Sequence, residues 1–193
     1  MLERQRYLFR RRGDLGETGS AYEILDADSH ERTGIARVMP APSARFFRRQ
    51  MFRRSRPGRI EVRETEDESL IFTVTSAVGL LGRDMKVADA DDNLVGSLKL
   101  GSWARSGVWI CDADNRLFAQ VVGDWRTEEV SLARPDRTQA ALVTKEERDP
   151  SPGVTPREAA FIVTVDDRLA AEPFAKMLIL GAILGLELYY RQA

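Results

Sequence analysis

The chain has 193 residues, of which 43% are hydrophobic and 31% charged, and its formal net charge at neutral pH is −1. This apolar fraction is ample for one buried core and excludes an intrinsically disordered or collagen-like chain. The single Cys excludes an internal disulfide, and the single His excludes any mechanism that needs two imidazoles.

Charge is distributed unevenly along the chain. Residues 1–63 hold 15 Arg and 8 acidic residues, whereas residues 64–193 hold 14 basic and 22 acidic residues. A basic stretch joined to an acidic body predicts a surface for phosphates or acidic partners. Residues 1–12 lack the apolar core and small-residue cleavage site of a signal peptide, so we expect a cytoplasmic protein. We divide the chain into a basic arm or first strand, residues 1–19, and a single domain, residues 20–193.

Five segments share one pattern, in which two alternating apolar stretches flank a polar turn. Period-two alternation buries one face of a strand, and Asp or Asn in a turn bonds its own backbone, so each segment predicts a β-hairpin. The fifth turn departs from the acidic pattern of the others, because it contains Arg134 and Pro135. The predicted hairpins join residues 22–25 to 34–38, 60–62 to 70–74, 85–87 to 94–100, 108–111 to 117–122 and 130–132 to 140–143.

The C-terminal segment, about residues 173–191, predicts a helix that begins at Pro173 and is apolar on every side from Met177 to Leu186. Such a helix must be enclosed by protein or lie in lipid. Ten uncharged residues rise only about 15 Å, against a hydrocarbon core of roughly 30 Å. We therefore expect a core helix enclosed by the strands and no transmembrane span.

Several further motifs stand in order along the chain: Ser55-Arg-Pro-Gly-Arg-Ile-Glu-Val62, Val87-Ala-Asp-Ala-Asp91 with Val95-Gly96, Gly123-Asp-Trp-Arg126 and Val143-Thr-Lys145. The order and spacing of these motifs and of the terminal helix resemble the tubby-like superfamily, specifically its bacterial phospholipid-scramblase-like and LURP-one-related members. The resemblance covers about residues 20–191 and implies an all-β fold: a closed antiparallel barrel of about twelve strands wrapped around a buried hydrophobic C-terminal helix. Eukaryotic tubby-like domains bind phosphoinositides through basic surface residues.

The acidic turns also contain the alternating carboxylates that calcium prefers. The turns lack the central Gly and the terminal bidentate Glu of an EF-hand loop, so a structural turn is the favoured interpretation and we expect no metal or other cofactor. If calcium binds, the candidate ligands are Asp89, Asp91, Asp112 and Asp114.

The residues from Ser43 to Arg59 combine aromatic side chains with many Arg. The Arg guanidinium grips phosphate with two parallel hydrogen bonds, and a basic amphipathic helix can lie on anionic lipid. A short helix that plugs the barrel mouth is the structural alternative, and nucleic-acid binding is the least favoured. The candidate anion-binding residues are Arg45, Arg48, Arg49, Arg53, Arg54, Arg56 and Arg59.

These patterns predict a protein without enzymatic activity that docks on an anionic membrane surface, at the inner face of the cell membrane, or on an acidic protein partner. A structural component of a larger assembly is the second expectation. Lipid translocation, which the scramblase resemblance suggests, is the third and would require residues 174–190 to enter the bilayer.

Overall fold

The structure is a computed structural model that describes residues 1–12, 21–40, 58–78, 82–101, 107–146 and 160–192. The described residues contain twelve β-strands and one α-helix. The strands are β1 (Arg6–Arg12), β2 (Ala21–Asp26), β3 (Arg32–Pro40), β4 (Gly58–Glu64), β5 (Leu70–Val78), β6 (Gly82–Asp89), β7 (Leu94–Gly101), β8 (Val108–Asp112), β9 (Leu117–Val122), β10 (Glu129–Ala133), β11 (Gln139–Glu146) and β12 (Ala160–Val165), and the helix is α1 (Pro173–Gln192).

Each strand pairs with its neighbours in sequence, and β1 pairs with β12, so the sheet closes into an antiparallel barrel. The predicted closed barrel of about twelve strands around a C-terminal helix is confirmed. Closure leaves none of the twelve described strands with an unpaired edge that could template pairing with another chain. Residues Arg6–Arg12 form the first strand, paired with β12 on one side and β2 on the other.

The helix α1 fills the barrel and forms the centre of its core. Ile179, Leu180, Ile183 and Leu186 are fully buried, and inward residues of the strands, among them Val74, pack around them. A helix that is apolar all round needs such an enclosure, because water on any side would leave apolar surface hydrated.

Two glycines allow the strands to approach α1 closely. A Cβ on Gly181 would lie 2.8 Å from Val87 Cγ2, and a Cβ on Gly185 would lie 2.8 Å from Met85 Sδ. Both distances are shorter than the contacts that Cβ atoms make in proteins, so the helix needs residues without a Cβ at these two positions facing β6. Gly181 and Gly185 therefore allow the barrel wall to pack closely against the core helix.

The five hairpin turns each contain one residue with positive φ. These residues are His30, Glu68, Asp92, Asn115 and Arg137. The turns that begin at Asp89, Asp112 and Arg134 share one backbone pattern. The amide of the first residue donates to the carbonyl of the residue four positions later, and its carbonyl accepts from the amide of the residue three positions later. That pattern is a type I turn followed by a left-handed residue. The turn at Arg134 has the same geometry as its acidic counterparts, although its sequence departs from theirs.

Candidate functional site

In an up-and-down barrel, successive connections between strands lie alternately at one end and at the other. We call the end that carries the five hairpin turns the turn end; α1 begins there, at Pro173. We call the opposite end the loop end, where α1 finishes and where the chain leaves the strands at Arg12, Pro40, Val78, Gly101, Val122 and Glu146. A Cβ on Gly58 would lie 3.2 Å from Leu188 near the end of α1, which places the start of β4 at the loop end.

The turn end is strongly acidic. Its five turns, residues 26–32, 64–69, 89–93, 112–116 and 133–138, together contain 13 Asp and Glu but only 4 Arg. Large apolar side chains are exposed at both ends, with Met39 and Val122 at the loop end and Leu94, Leu117 and Phe174 at the turn end. Apolar exposure therefore does not distinguish the two ends.

The predicted Arg-rich segment begins and finishes at the loop end. Pro40 and Gly58 are paired neighbours in the β3–β4 ladder, so residues 41–57 both leave and rejoin the barrel there. That segment contains six Arg and no acidic residue. Its candidate residues Arg45, Arg48, Arg49, Arg53, Arg54 and Arg56, and the suggested plugging helix, lie outside the described residues.

Arg59 is the candidate anion-binding residue that the structure describes. It lies beside Met39 in the ladder, on the outer face of the barrel, because its neighbour Ile60 is buried inward. Its Nε lies 3.2 Å from Oε1 of Glu61, and the Arg59 side chain is 45% exposed. Exposed ion pairs of this kind contribute little to stability, so the guanidinium is free to exchange partners at small cost.

The four candidate calcium ligands lie in two separate turns. Asp89 accepts hydrogen bonds from the backbone amides of Asp91 and Asn93, at 3.0 and 2.8 Å, and from the Asn93 side chain. These bonds, above all those from Asn93, lower the pKa of Asp89. Asp112 accepts from the Arg116 amide, and Asp114 pairs with the Arg116 side chain.

These contacts explain the acidic turns as self-capping structures. Among the described residues there is no group of three or more His, Cys, Asp or Glu side chains that could hold a metal ion. The calcium assignment stays a prediction that calorimetric titration can test.

A cluster of polar and aromatic side chains lies at the loop end, around the last turns of α1. The indole nitrogen of Trp125, in the β9–β10 connection, donates to Oε2 of Glu187 at 3.2 Å. Lys145 Nζ lies 4.8 Å from the centre of the Trp125 ring, and the Tyr190 ring stacks with that indole at a centroid distance of 6.4 Å. Trp125 is 2% exposed and Glu187 8% exposed.

Burial shapes the electrostatics of this cluster. Desolvation lowers the pKa of Lys145, against the opposing effects of the Glu187 and Asp124 carboxylates. Burial likewise raises the pKa of Tyr190. Sequence reasoning placed Trp125 in the Gly123-Asp-Trp-Arg126 motif but did not associate it with Lys145 or Glu187. The available signal was one carboxylate at the end of an otherwise apolar helix, which requires a polar partner when buried.

At the turn end, a buried cation lies near the start of α1. Lys176 is fully buried, and its Nζ donates to the Leu2 carbonyl at 2.7 Å. Desolvation lowers the pKa of Lys176. The residues before β1 thus lie against the first turn of the core helix, and this contact joins the two ends of the described chain.

By length and composition, residues 173–190 could cross a membrane, but 67% of this window is buried inside the barrel. Because the helix already has an apolar environment within the protein, its composition does not require lipid. The prediction that the strands enclose this helix is therefore confirmed.

Comparison with known proteins gives one informative likeness. No family model matches the sequence, and no curated protein matches it significantly. The X-ray structure of an Arabidopsis thaliana protein, AT5G01750, is similar to this structure with a TM-score of 0.50 and 11% sequence identity, over 94% of this chain and 91% of that one. At this identity the likeness shows a shared barrel fold and nothing finer.

Proposed function

We propose that this protein is a non-enzymatic adaptor of the tubby-like, LURP-one-related kind, and that its loop end docks on anionic lipid headgroups. The observation that supports the proposal is the contrast in charge between the turns of one barrel end and the Arg-rich segment whose two attachment points lie at the other end. The turns of one end hold 13 acidic residues and 4 Arg, while the segment that leaves and rejoins the other end holds six Arg and no acid.

Such a charge distribution orients a protein at a negative surface. The acidic turn end is repelled by anionic headgroups, and the Arg-rich end is attracted to them. Arg59 extends the Arg-rich segment onto the described barrel wall, where exposed Met39 lies beside it. The proposed contact face is Arg45, Arg48, Arg49, Arg53, Arg54, Arg56 and Arg59.

Docking of this kind leaves the barrel intact. Lipid translocation would instead place residues 174–190 in the bilayer, and the strands would then lose the core on which they pack. We therefore propose peripheral attachment at a cytoplasmic membrane face rather than insertion.

Vesicle sedimentation tests the proposal. Vesicles that contain anionic lipid should retain the wild-type protein at low salt, and retention should weaken as salt shortens the Debye length to about 8–10 Å. Reversal of Arg48, Arg49, Arg53 and Arg54 to Glu should release the protein.

The chain offers a matched control at the opposite end. Reversal of four exposed turn-end residues, Arg32, Arg116, Arg137 and Arg168, changes the net charge equally and should leave retention nearly unchanged. Equal release by both variants would show that net charge alone drives binding and would overturn the oriented docking face. Failure of the wild type to bind any anionic vesicle would favour an acidic protein partner.

A further inference from the structure

Three large apolar side chains at the turn end take no part in the packed core. Phe174 is 61% exposed, Leu94 45% and Leu117 42%, and they are half of the six large hydrophobic residues that are exposed in the described part of the chain. None of the three belongs to the cluster that packs around α1, so burial in the barrel does not account for them. We call Leu94, Leu117 and Phe174 the turn-end patch.

The strand register places these side chains around one point of the rim. Gly96 of β7 is paired with Asp112 of β8, and a Cβ on Gly96 would lie 2.8 Å from Leu178 of α1. Phe174 lies one helical turn before Leu178, on the same side of α1 and nearer to the turn end. Leu94 lies two residues before Gly96, in the same direction, and the third member of the patch directly follows the turn that begins at Asp112.

Acidic side chains border this patch. The two neighbouring turns, residues 89–93 and 112–116, contain five Asp and one Arg, and that Arg is paired with Asp114. Asp91 is exposed, and the side chain of Asp114 is 70% exposed. An apolar centre with an acidic border is complementary to a partner that combines large apolar side chains with Arg.

The chain itself contains a segment of this chemistry. The Arg-rich segment, residues 41–57, has six Arg, three Phe and one Met, and it has no acidic residue. It leaves and rejoins the barrel at the loop end, because Pro40 and Gly58 are paired neighbours there. Its apolar residues match the centre of the turn-end patch, and its Arg residues match the acidic border.

The segment is too short to cover the turn-end patch of its own molecule. The 8 residues of β7 alone separate the two ends by about 26 Å. The patch also lies three strands around the barrel from β4, about 14 Å further. Each half of the segment spans at most about 30 Å when fully extended, which leaves no residues to make contacts. The segment of a second copy has no such restriction.

We propose that this protein associates head to tail, with the Arg-rich segment of one copy bound to the turn-end patch of the next. The Phe and Met side chains cover the exposed apolar surface, and the guanidinium groups pair with the bordering carboxylates. Because the two surfaces differ, every open oligomer retains one free segment and one free patch, so assembly continues beyond a dimer. Anionic lipid and a second copy compete for the same segment.

Sedimentation velocity of the 193-residue chain without lipid tests the proposal. At low salt the average mass should rise with protein concentration past that of a dimer. It should fall when salt is raised to about 1 M, where the Debye length is only about 3 Å. A protein that stays monomeric at low salt, or that stops at a dimer, would overturn head-to-tail association.

Two variants each remove one of the two surfaces without introducing the opposite charge. The patch variant carries Asp91→Asn, Asp114→Asn and Phe174→Ser. The segment variant carries Arg48→Gln, Arg49→Gln, Arg53→Gln and Arg54→Gln. Either variant alone should associate with a Kd raised about tenfold or more. An equimolar mixture should form a one-to-one dimer and nothing larger, because one intact segment then meets one intact patch. Failure of the mixture to recover a dimer would contradict the arrangement.

A matched control removes the same charge and one exposed apolar side chain elsewhere on the barrel. It carries Asp84→Asn, Glu129→Gln and Val122→Ser, all at exposed positions. This control should associate like the wild type, and equal loss of association in the control would show that net charge governs assembly and would overturn the patch. Because these measurements contain no lipid, failure of association and failure of vesicle docking are separate results.

Discussion

The indole nitrogen of Trp125 donates a hydrogen bond to the carboxylate of Glu187, 62 residues away in sequence. This bond joins a surface connection to the core helix at the point where the helix leaves the barrel. The bond also supplies the hydrogen-bond donor that this carboxylate needs, because a carboxylate near the end of an apolar helix is unfavourable when it is buried without one.

Replacement of this carboxylate should destabilise the fold. Glu187→Leu leaves the Trp125 N–H without its acceptor, so we expect a loss of about 1–3 kcal/mol in the free energy of unfolding, measured by urea denaturation. Glu187→Gln keeps an acceptor oxygen and should cost less. In a double-mutant cycle with Trp125→Phe, the two effects should be non-additive, and strict additivity would show that the hydrogen bond contributes nothing.

The two helix glycines should differ in their tolerance of alanine. A Cβ on Gly181 meets the branched Val87 side chain on β6, which has little freedom to move, so Gly181→Ala should cost about 1–3 kcal/mol despite its better helix propensity. A Cβ on Gly185 meets the flexible Met85 side chain, so Gly185→Ala should be close to neutral. Thermal denaturation of the two variants measures the difference, and the reverse order would contradict the packing.

Acid should weaken the first hairpin turn. The Asp26 side chain accepts from the amides of Ser29 and Asp28, at 2.8 and 2.9 Å, and these bonds, with Arg4 nearby, hold its pKa below the ordinary 3.8. Because the folded pKa is lower than the unfolded one, the stabilisation is fully present above the unfolded pKa. It is lost as pH falls through the folded pKa.

The variant Asp26→Asn checks this linkage. It should lower the melting temperature near neutral pH, and the difference from wild type should shrink as pH falls below the ordinary 3.8 of an Asp carboxyl. A difference that stays constant from neutral to strongly acidic pH would show that the charge of Asp26 plays no part.

The left-handed residue of the fifth turn offers a stabilising substitution. Arg137 has φ 68, a conformation that costs a non-glycine residue about 1–2 kcal/mol. Arg137→Gly should therefore stabilise the protein by roughly 0.5 kcal/mol after the entropy of glycine in the unfolded chain is included. Arg116→Gly, at a turn position without positive φ, is the matched control and should destabilise. A lower melting temperature for Arg137→Gly would contradict this account.

Much of the barrel could be predicted from local patterns. Alternation in segments such as Gly58–Glu64, where Ile60 and Val62 are buried and Glu61 between them is not, indicates which side chains face inward. Acidic turn residues mark where four of the five hairpins reverse. The Arg134 turn shows that residue types alone do not identify every turn of this geometry. Pro135 fits the first corner of a type I turn, and the Thr138 amide donates to Asp136, so a different sequence reaches the same geometry.

Local pattern thus determined the strands, their turns and a helix too apolar to face water, since each depends on residues close together in the chain. Only the tertiary structure decided which charges share an end of the barrel and which side chains meet at its rim. An antiparallel barrel sends alternate connections to opposite ends, and closure of β1 on β12 sets their order around the core. Contacts such as Lys145 over Trp125 therefore arise from long-range pairing and burial, for which no local sequence period exists.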